Sequence, residues 1–216
     1  FQHNVQRMDW DATNGVWIIQ TNKGEFRARM VIGAFGALSD PNIPHLKGIE
    51  EFKGKAFHSA NWPSRLDLKD KRIAVVGTGA SAIQFIPEIQ PQVKQLYVFQ
   101  RTPPWIIPRL DGPISNTMKK LYRQIPLLQK ANRFKIYLQR EYMVLGFTNP
   151  KMMKKTQEEA LAHMYKAIKD PHLRHKLTPN YTIGCKRILL SNDYYPALAK
   201  PNVDVNTNGI AQIEEH

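Results

Sequence analysis

IAVVGTGASA, residues 73–82, is the stretch that decides the fold of this chain. Its first four residues form the short, continuous apolar run of a strand buried on both faces, and a glycine turn follows. A helical pattern comes next at Ile83, Ile86 and Ile89, and the apolar run at 96–99 predicts a second buried strand. This order of strand, glycine turn, helix and strand within about 30 residues predicts a nucleotide-binding βαβ unit.

The glycine turn fits the dinucleotide fingerprint G-x-G-x-x-A at Gly77, Gly79 and Ala82. The first glycine permits the tight turn, the second lets the backbone approach a pyrophosphate, and the small third residue lets helix and strand pack closely. The helix N-terminus adds free amides and the positive end of its dipole. A purely structural turn is the alternative. We expect the cofactor to lie against Gly77, Thr78, Gly79, Ala80, Ser81, Ala82 and Gln84.

The end of the second strand indicates which dinucleotide binds. An NAD site usually places a carboxylate there for the ribose hydroxyls, whereas this strand ends in FQRT, residues 99–102. The guanidinium of Arg101 can form two hydrogen bonds to a 2′-phosphate, and Thr102 can donate another. The sequence therefore favours NADP(H) over NAD, the alternative being an exposed arginine at a strand end.

The flanking segments predict an α/β fold with a Rossmann-like parallel sheet. Residues 16–21 and 25–32 read as a hairpin around the turn at 22–24, with Phe26, Ala28 and Met30 on a half-buried face. Residues from about 114 to 175 follow a helical pattern, which Pro126 should bend or break. Strand patterns return at 203–205 and 210–213. We therefore expect a helical insertion in the nucleotide-binding domain.

Composition excludes several classes of protein. The 216 residues carry a net charge of +13 and one cysteine, Cys185, so no intramolecular disulfide can form and a cytoplasmic protein is expected. No apolar run is long enough to cross a bilayer, no secretory leader is evident at the start, and neither a metal site nor a membrane partner is predicted. The basic residues of 119–155 recur at helical spacing, which favours a solvated helix face over a functional basic surface. Without a recognisable reading module, no nucleic-acid partner is expected.

Upstream of the glycine turn, the segment FKGKAFHSANWP at 52–63 resembles the Baeyer–Villiger monooxygenase signature F-x-G-x-x-x-H-x-x-x-W-[PD]. The matching positions are Phe52, Gly54, His58, Trp62 and Pro63. Related flavin-containing monooxygenases that oxidise nitrogen or sulfur usually carry Tyr or Phe at the tryptophan position. Trp62 therefore favours the Baeyer–Villiger subclass over these relatives.

Three other segments resemble the same family, so that the resemblance extends from about residue 16 to 213. Residues 31–41 are similar to its A-T-G-x-x-S-x-P connector between flavin and NADP domains, with Phe35 where threonine is common. Residues 99–105 are similar to F-Q-R-T-x-x-W. Residues 184–187 resemble its G-x-K-R segment, which SNDYY at 191–195 follows.

The resemblance implies a two-cofactor enzyme. NADPH reduces FAD, reduced FAD takes up O2 to form a peroxyflavin, and the peroxide attacks a ketone, which becomes an ester or lactone. It further implies that Arg187 stabilises the anionic peroxide and that Lys186 supports the NADP phosphate. His58 is expected either to fasten the hinge structurally or to transfer a proton, and Trp62 to pack at the domain junction.

The resemblance also implies a division of the chain. Residues 1–45 correspond to closing strands of the flavin domain, and residues 46–216 to the NADP domain with its helical insertion. Because the family's FAD-binding glycine motif is absent, we expect part of a longer enzyme, inactive alone and with weak NADP(H) binding. An N- or S-oxygenating flavoenzyme and a non-catalytic NADP-binding module are the alternatives. Neither the ketone nor the oligomeric state follows from the sequence.

Overall fold

A computed structural model of the protein describes residues 2–36, 40–146 and 149–215. The chain divides into two compact units, Phe1–Pro44 and His45–His216. In the connector predicted at 31–41, Ala37, Leu38 and Ser39 lie outside the described residues. Each unit has its own sheet structure.

The first unit is a three-stranded antiparallel sheet of β1 (Val5–Asp11), β2 (Val16–Thr21) and β3 (Gly24–Ala28), in that order. The predicted hairpin turn at 22–24 is confirmed, but β3 ends at Ala28 and not at residue 32. The predicted half-buried face is wrong at Phe26, which is 47% exposed, and at Met30, which is 85% exposed, whereas Ala28 is half-buried. Among the described residues of this unit the sheet is the only regular structure, so the unit itself supplies no second layer for the apolar side chains of the sheet.

The second unit contains a parallel sheet and six helices among its described residues. The elements of this unit are β4 (Arg72–Val76), α1 (Ala82–Ile89), β5 (Gln95–Phe99), β6 (Ile106–Ile107), α2 (Asn116–Gln124), α3 (Pro126–Gly146), α4 (Pro150–Ala167), α5 (Pro171–Leu177), β7 (Leu189–Leu190), α6 (Tyr194–Leu198) and β8 (Val203–Asn206). The parallel sheet has the order β4-β5-β8, and a separate two-stranded parallel sheet pairs β6 with β7.

The βαβ unit predicted from residues 73–99 is confirmed as β4, α1 and β5. Ile83, Ile86 and Ile89 of α1 are buried with at most 4% exposure, and they join the core with Leu96 and Val98 of β5. The prediction that both strands are buried on both faces is wrong. In β4 only Val75 is buried, whereas Val76 is 53% exposed, because the core covers a single face of the sheet.

The helical segment follows the predicted pattern in its second half. Pro126 separates α2 from α3, where it occupies the first helical position, which proline tolerates. Ala160, Met164 and Ile168 form the buried face predicted for the second helical stretch, with at most 2% exposure. The basic side chains of α2 and α3 are exposed, as a solvated helix face requires.

The last predicted strands have different outcomes. Residues 203–205 lie in β8, whereas residues 210–213 form no strand. The amide of Ile213 donates to the carbonyl of Lys47 at 2.8 Å, and Lys53 and Glu215 are joined by a backbone hydrogen bond. These isolated bonds do not make a ladder. None of the described helices has the length and apolar character to cross a membrane.

Candidate functional site

The glycine turn lies at the carboxyl end of β4. Gly77 has a φ of +101°, which only glycine adopts readily, and its amide donates to the carbonyl of Phe99 at 2.9 Å. This bond fixes the turn to the neighbouring parallel strand β5. Thr78 is 8% exposed, so its side chain packs into the protein. The turn therefore presents mainly main-chain atoms.

Gly79 is not required by the packing of the protein itself. Its φ lies outside the left-handed region, and a Cβ built on it would meet no described protein atom within 4 Å. A side chain there would instead occupy the open space above the turn. Glycine at this position keeps that space free for a group that approaches the backbone closely.

Helix α1 begins at Ala82 directly after the turn. Ala82 is 6% exposed and packs in the core, as the third position of the fingerprint requires. The Ser81 side chain makes no capping hydrogen bond, which leaves its exposed hydroxyl beside the first-turn amides. The side-chain amide of Gln84 donates to the carbonyl of Ala80 at 2.7 Å and joins the turn to the helix. These groups offer donors to an anion.

Past the end of β5, Gln100 holds the neighbouring elements in place. Its backbone amide donates to Asn206 at 2.9 Å, and its side-chain amide donates to the carbonyl of Lys176 at 3.0 Å. The Lys176 ammonium donates in turn to the carbonyl of Val205 at 2.8 Å. Gln100 is 3% exposed, and its Oε1 finds no partner among the described residues. The next residue, Arg101, is exposed.

Trp105 joins the segment of Arg101 to the segment of Lys186 and Arg187. Its indole Nε1 donates to the carbonyl of Tyr181 at 2.8 Å, and its backbone amide donates to the Tyr181 hydroxyl at 3.3 Å. Its carbonyl accepts from the amide of Leu189 at 2.9 Å, and β6 then pairs with β7. The segment of Arg101 and the segment of Lys186 and Arg187, which were predicted separately, are thus held together by hydrogen bonds.

Lys186 and Arg187 are both exposed, and Thr102 is half-buried. The ammonium of Lys186 lies 4.8 Å from the centre of the Tyr181 ring, within the range of a cation–π contact. Burial raises the pKa of the Tyr181 phenol, so this ring is neutral around neutral pH. Within residues 2–36, 40–146 and 149–215, no ion pair involves Arg101, Lys186 or Arg187, so these cations remain available to an anionic ligand.

The signature segment packs onto helix α1 through Trp62. The Trp62 ring lies 5.2 Å from that of Phe57 and 5.3 Å from that of Phe85 in α1. A Cβ on Gly54 would lie too close to the ring of Phe52, so a larger residue there would require this ring to shift. The signature thus forms a local aromatic support for α1, with Pro63 half-buried behind Trp62.

His58 has a structural role in the same segment. Its Nδ1 accepts a hydrogen bond from the amide of Ala60 at 3.1 Å and caps the single 3-10 turn Ser59–Asn61. The carbonyl of His58 accepts from Asn61 at 2.8 Å. An accepting Nδ1 places the proton of the neutral ring on Nε2. The side chain therefore shapes the turn that presents Trp62.

A sequence profile described as flavin-binding monooxygenase-like matches residues 2–177, which is most of the chain. The chain belongs to this family. It is 50% identical over 211 residues to a Baeyer–Villiger monooxygenase of Pseudomonas aeruginosa, covering 97% of this chain and 40% of that protein. It is 49% identical over 214 residues to a Baeyer–Villiger monooxygenase of Streptomyces coelicolor, covering 99% and 41%. The chain thus spans about two fifths of the length of these curated relatives.

Solved structures of flavin-binding monooxygenases share the fold. An oxidised steroid monooxygenase bound to NADP has a TM-score of 0.80 at 25% identity, over 99% of this chain and 48% of its own. OTEMO in complex with FAD and NADP has a TM-score of 0.74 at 25% identity, over 95% and 46%. The mixed α/β fold and the recognised family are therefore confirmed.

In this family member, the structure joins four predicted segments in two pairs. Trp62 links the signature to α1, and Trp105 links the strand-end motif to the G-x-K-R segment. No role was predicted for Tyr181 or Lys176, whose partners lie 76 and 29 residues away. The one predicted feature that takes part in these contacts is the tryptophan of the family's F-Q-R-T-x-x-W motif, which follows Arg101. No cluster of potential metal ligands occurs in the part of the chain that the structure describes.

Proposed function

We propose that this chain is the NADPH-binding part of a flavin-dependent monooxygenase that inserts one oxygen atom from O2 into a ketone, giving an ester or lactone. The observation that carries the proposal is the open space above Gly79, at a turn that ends in the N-terminus of α1. Neither backbone conformation nor packing demands glycine there, and the open space leaves room for a ligand to lie against the turn.

NADPH fits the residues around the turn. In this proposal the amides of Gly79, Ala80 and Ser81 would bind the pyrophosphate at the α1 terminus, and the Ser81 hydroxyl, which makes no capping hydrogen bond, would donate to it. Arg101 and Thr102 follow β5, where the 2′-phosphate of the adenosine ribose belongs in this fold. The lack of a carboxylate at this strand end supports NADPH over NADH.

Arg187 is the candidate catalytic residue, and Lys186 a candidate phosphate ligand. The bound nicotinamide would supply a hydride to FAD, which solved relatives bind together with NADP. A guanidinium stays charged at all working pH values, so Arg187 can stabilise an anion that develops at the reaction centre without gaining or losing a proton. In this proposal His58 and Trp62 support α1 and transfer no proton.

The division of labour between the two units is part of the proposal. Residues 1–45 would belong to the flavin domain, and residues 46–216 would form the NADP domain with its helical insertion. The partners would be a ketone and O2 in the cytoplasm, with neither nucleic acid nor membrane. The two Baeyer–Villiger relatives, each about half identical to this chain, support this reaction class.

The test is a comparative titration of the chain with NADPH and NADH, monitored by isothermal calorimetry. Tighter binding of NADPH supports the proposal, and equal binding of both rejects the 2′-phosphate assignment. The reaction class is tested on the full-length enzyme loaded with FAD. Conversion of a ketone to an ester with consumption of NADPH supports it, whereas oxygenation of amines or sulfides alone assigns the protein to the other subclass.

A further inference from the structure

The ammonium of Lys186 lies over the face of the Tyr181 ring. The ammonium lies 4.8 Å from the ring centre, and the lysine is otherwise exposed. A lysine side chain has four rotatable carbon–carbon bonds and loses conformational entropy when a ligand fixes it. A contact that already restricts the ammonium lowers this cost before the ligand arrives.

Tyr181 is itself held by the buried side chain of Trp105. The indole is 3% exposed and donates to the Tyr181 carbonyl at 2.8 Å, while the two rings meet edge to face at 6.4 Å. The Trp105 amide also donates to the phenol oxygen at 3.3 Å. Both ends of Tyr181 are therefore anchored to a residue that follows Arg101 by four positions.

From this arrangement we infer that Tyr181 is a positioning residue that orients Lys186 toward the 2′-phosphate of NADPH. The inference rests on the proposed function, because it deepens the use of the same cofactor site. Through Trp105, Tyr181 is joined to a buried cluster that also contains Ala160 and Ile183, and Trp105 lies four residues after the other candidate phosphate ligand, Arg101. Selectivity for NADPH over NADH then depends on a tyrosine that touches no phosphate.

The inference is tested by replacing Tyr181 and measuring both cofactors on the full chain. Tyr181→Leu removes the π face and is expected to raise the Kd for NADPH about two- to fivefold, the size of one exposed cation–π contact. The Kd for NADH should not change. Tyr181→Phe loses the 3.3 Å bond to the phenol but keeps the ring and the 2.8 Å bond to its carbonyl, so the Kd for NADPH should stay closer to wild type than in Tyr181→Leu.

A double-mutant cycle with Lys186→Gln separates positioning from a merely structural role. If Tyr181 acts through Lys186, Tyr181→Leu has no further effect on NADPH binding in the Lys186→Gln background. A loss of affinity that is equal for NADPH and NADH, or that persists in this background, overturns the inference. If Lys186→Gln leaves NADPH binding unchanged while Arg101→Ala weakens it, the inference fails and the proposed function stands. If both leave it unchanged, the NADPH assignment itself fails.

A second measurement requires no leucine variant. The ring current of Tyr181 should shift the ε-methylene protons of Lys186 upfield in the NMR spectrum of the wild-type chain. An unshifted signal would show that the ammonium does not rest on the ring, and it would overturn the inference.

Discussion

The indole ring of Trp62 lies 5.3 Å from the phenyl ring of Phe85, measured between ring centres, so the signature segment supports helix α1 directly. Phe85 is three residues beyond Ala82, where the helix leaves the glycine turn. A residue of the signature thus contacts the helix whose first turn is proposed to receive the pyrophosphate. This contact gives the tryptophan a structural purpose that needs no part in the chemistry.

Trp62→Ala should therefore lower the stability of the second unit. The substitution removes two aromatic contacts from a side chain that is 38% exposed, and we expect a loss of about 1–2 kcal/mol in the free energy of unfolding. Chemical denaturation measures it. Leu110→Ala is the control, because Leu110 is 98% exposed and should tolerate the change. Equal stability of both variants would refute the supporting role.

Trp105→Phe should loosen the connection between the strand-end motif and the G-x-K-R segment. The phenylalanine ring fills most of the space but cannot donate to the Tyr181 carbonyl. A buried acceptor left without a partner costs about 1–3 kcal/mol, which denaturation measures. Trp17→Phe is the matched control, since no hydrogen bond of the Trp17 indole occurs among the described residues. If both changes cost the same, the hydrogen bond does not stabilise the segment.

Arg101→Ala should reduce the affinity for NADPH and leave that for NADH unchanged. Hydrogen bonds to a charged phosphate contribute about 1.5–3 kcal/mol, so we expect the Kd for NADPH to rise roughly ten- to a hundredfold. Arg72→Ala serves as the control, because Arg72 is an exposed arginine at the opposite, amino end of the same sheet. An equal effect of the two substitutions would show that Arg101 acts only through its positive charge and makes no specific contact with the phosphate.

The sequence predicted the parts of the fold that local patterns determine. Glycine spacing, the periodicity of Ile83, Ile86 and Ile89, and the break at Pro126 all depend on neighbours within a few residues, and the structure has each of them. The one-sided burial of β4 could not be predicted, because an apolar run carries no information about which layers cover it. The failed strand at 210–213 has a similar cause, since a strand needs a partner in register.

The sequence predicted the individual motifs of the candidate site but not the contacts that join them. Arg101 was predicted from its position at the end of a strand, and Lys186 from the resemblance to the family's G-x-K-R segment. The contact of Trp105 with Tyr181 joins residues 76 apart in the sequence, and so does that of Gln100 with Lys176. No periodicity links residues at this separation. Only the folded chain reveals which side chains hold the candidate ligands in place.

Stability should fall at alkaline pH because of three tyrosines. Burial raises the pKa of Tyr194, Tyr195 and Tyr181 above the ordinary value of 10.0. The folded state thus prefers the neutral phenols. Their contribution to the free energy of unfolding is fully present below pH 10 and is lost as the pH rises toward the folded-state pKa values. Denaturation at a series of pH values measures this decline. A free energy of unfolding that stays constant above pH 10 would contradict it.

Tyr194→Phe isolates one of these phenols. The Tyr194 hydroxyl is buried and finds no partner among the described residues, so its removal should raise stability by about 1 kcal/mol at neutral pH. The alkaline decline should also become shallower. Tyr142→Phe, at a side chain that is 63% exposed, should change neither quantity.

Alanine substitutions at the two glycines of the turn should have opposite consequences for stability and binding. Gly77→Ala places a Cβ at a φ of +101° and should cost about 1–3 kcal/mol of stability. Gly79→Ala meets no described protein atom within 4 Å, so the free energy of unfolding should stay within about 0.5 kcal/mol of wild type. Its methyl group enters the space proposed for the pyrophosphate, and we expect binding of NADPH and NADH to weaken together. Gly79→Ala with unchanged cofactor binding would show that no ligand lies against this turn.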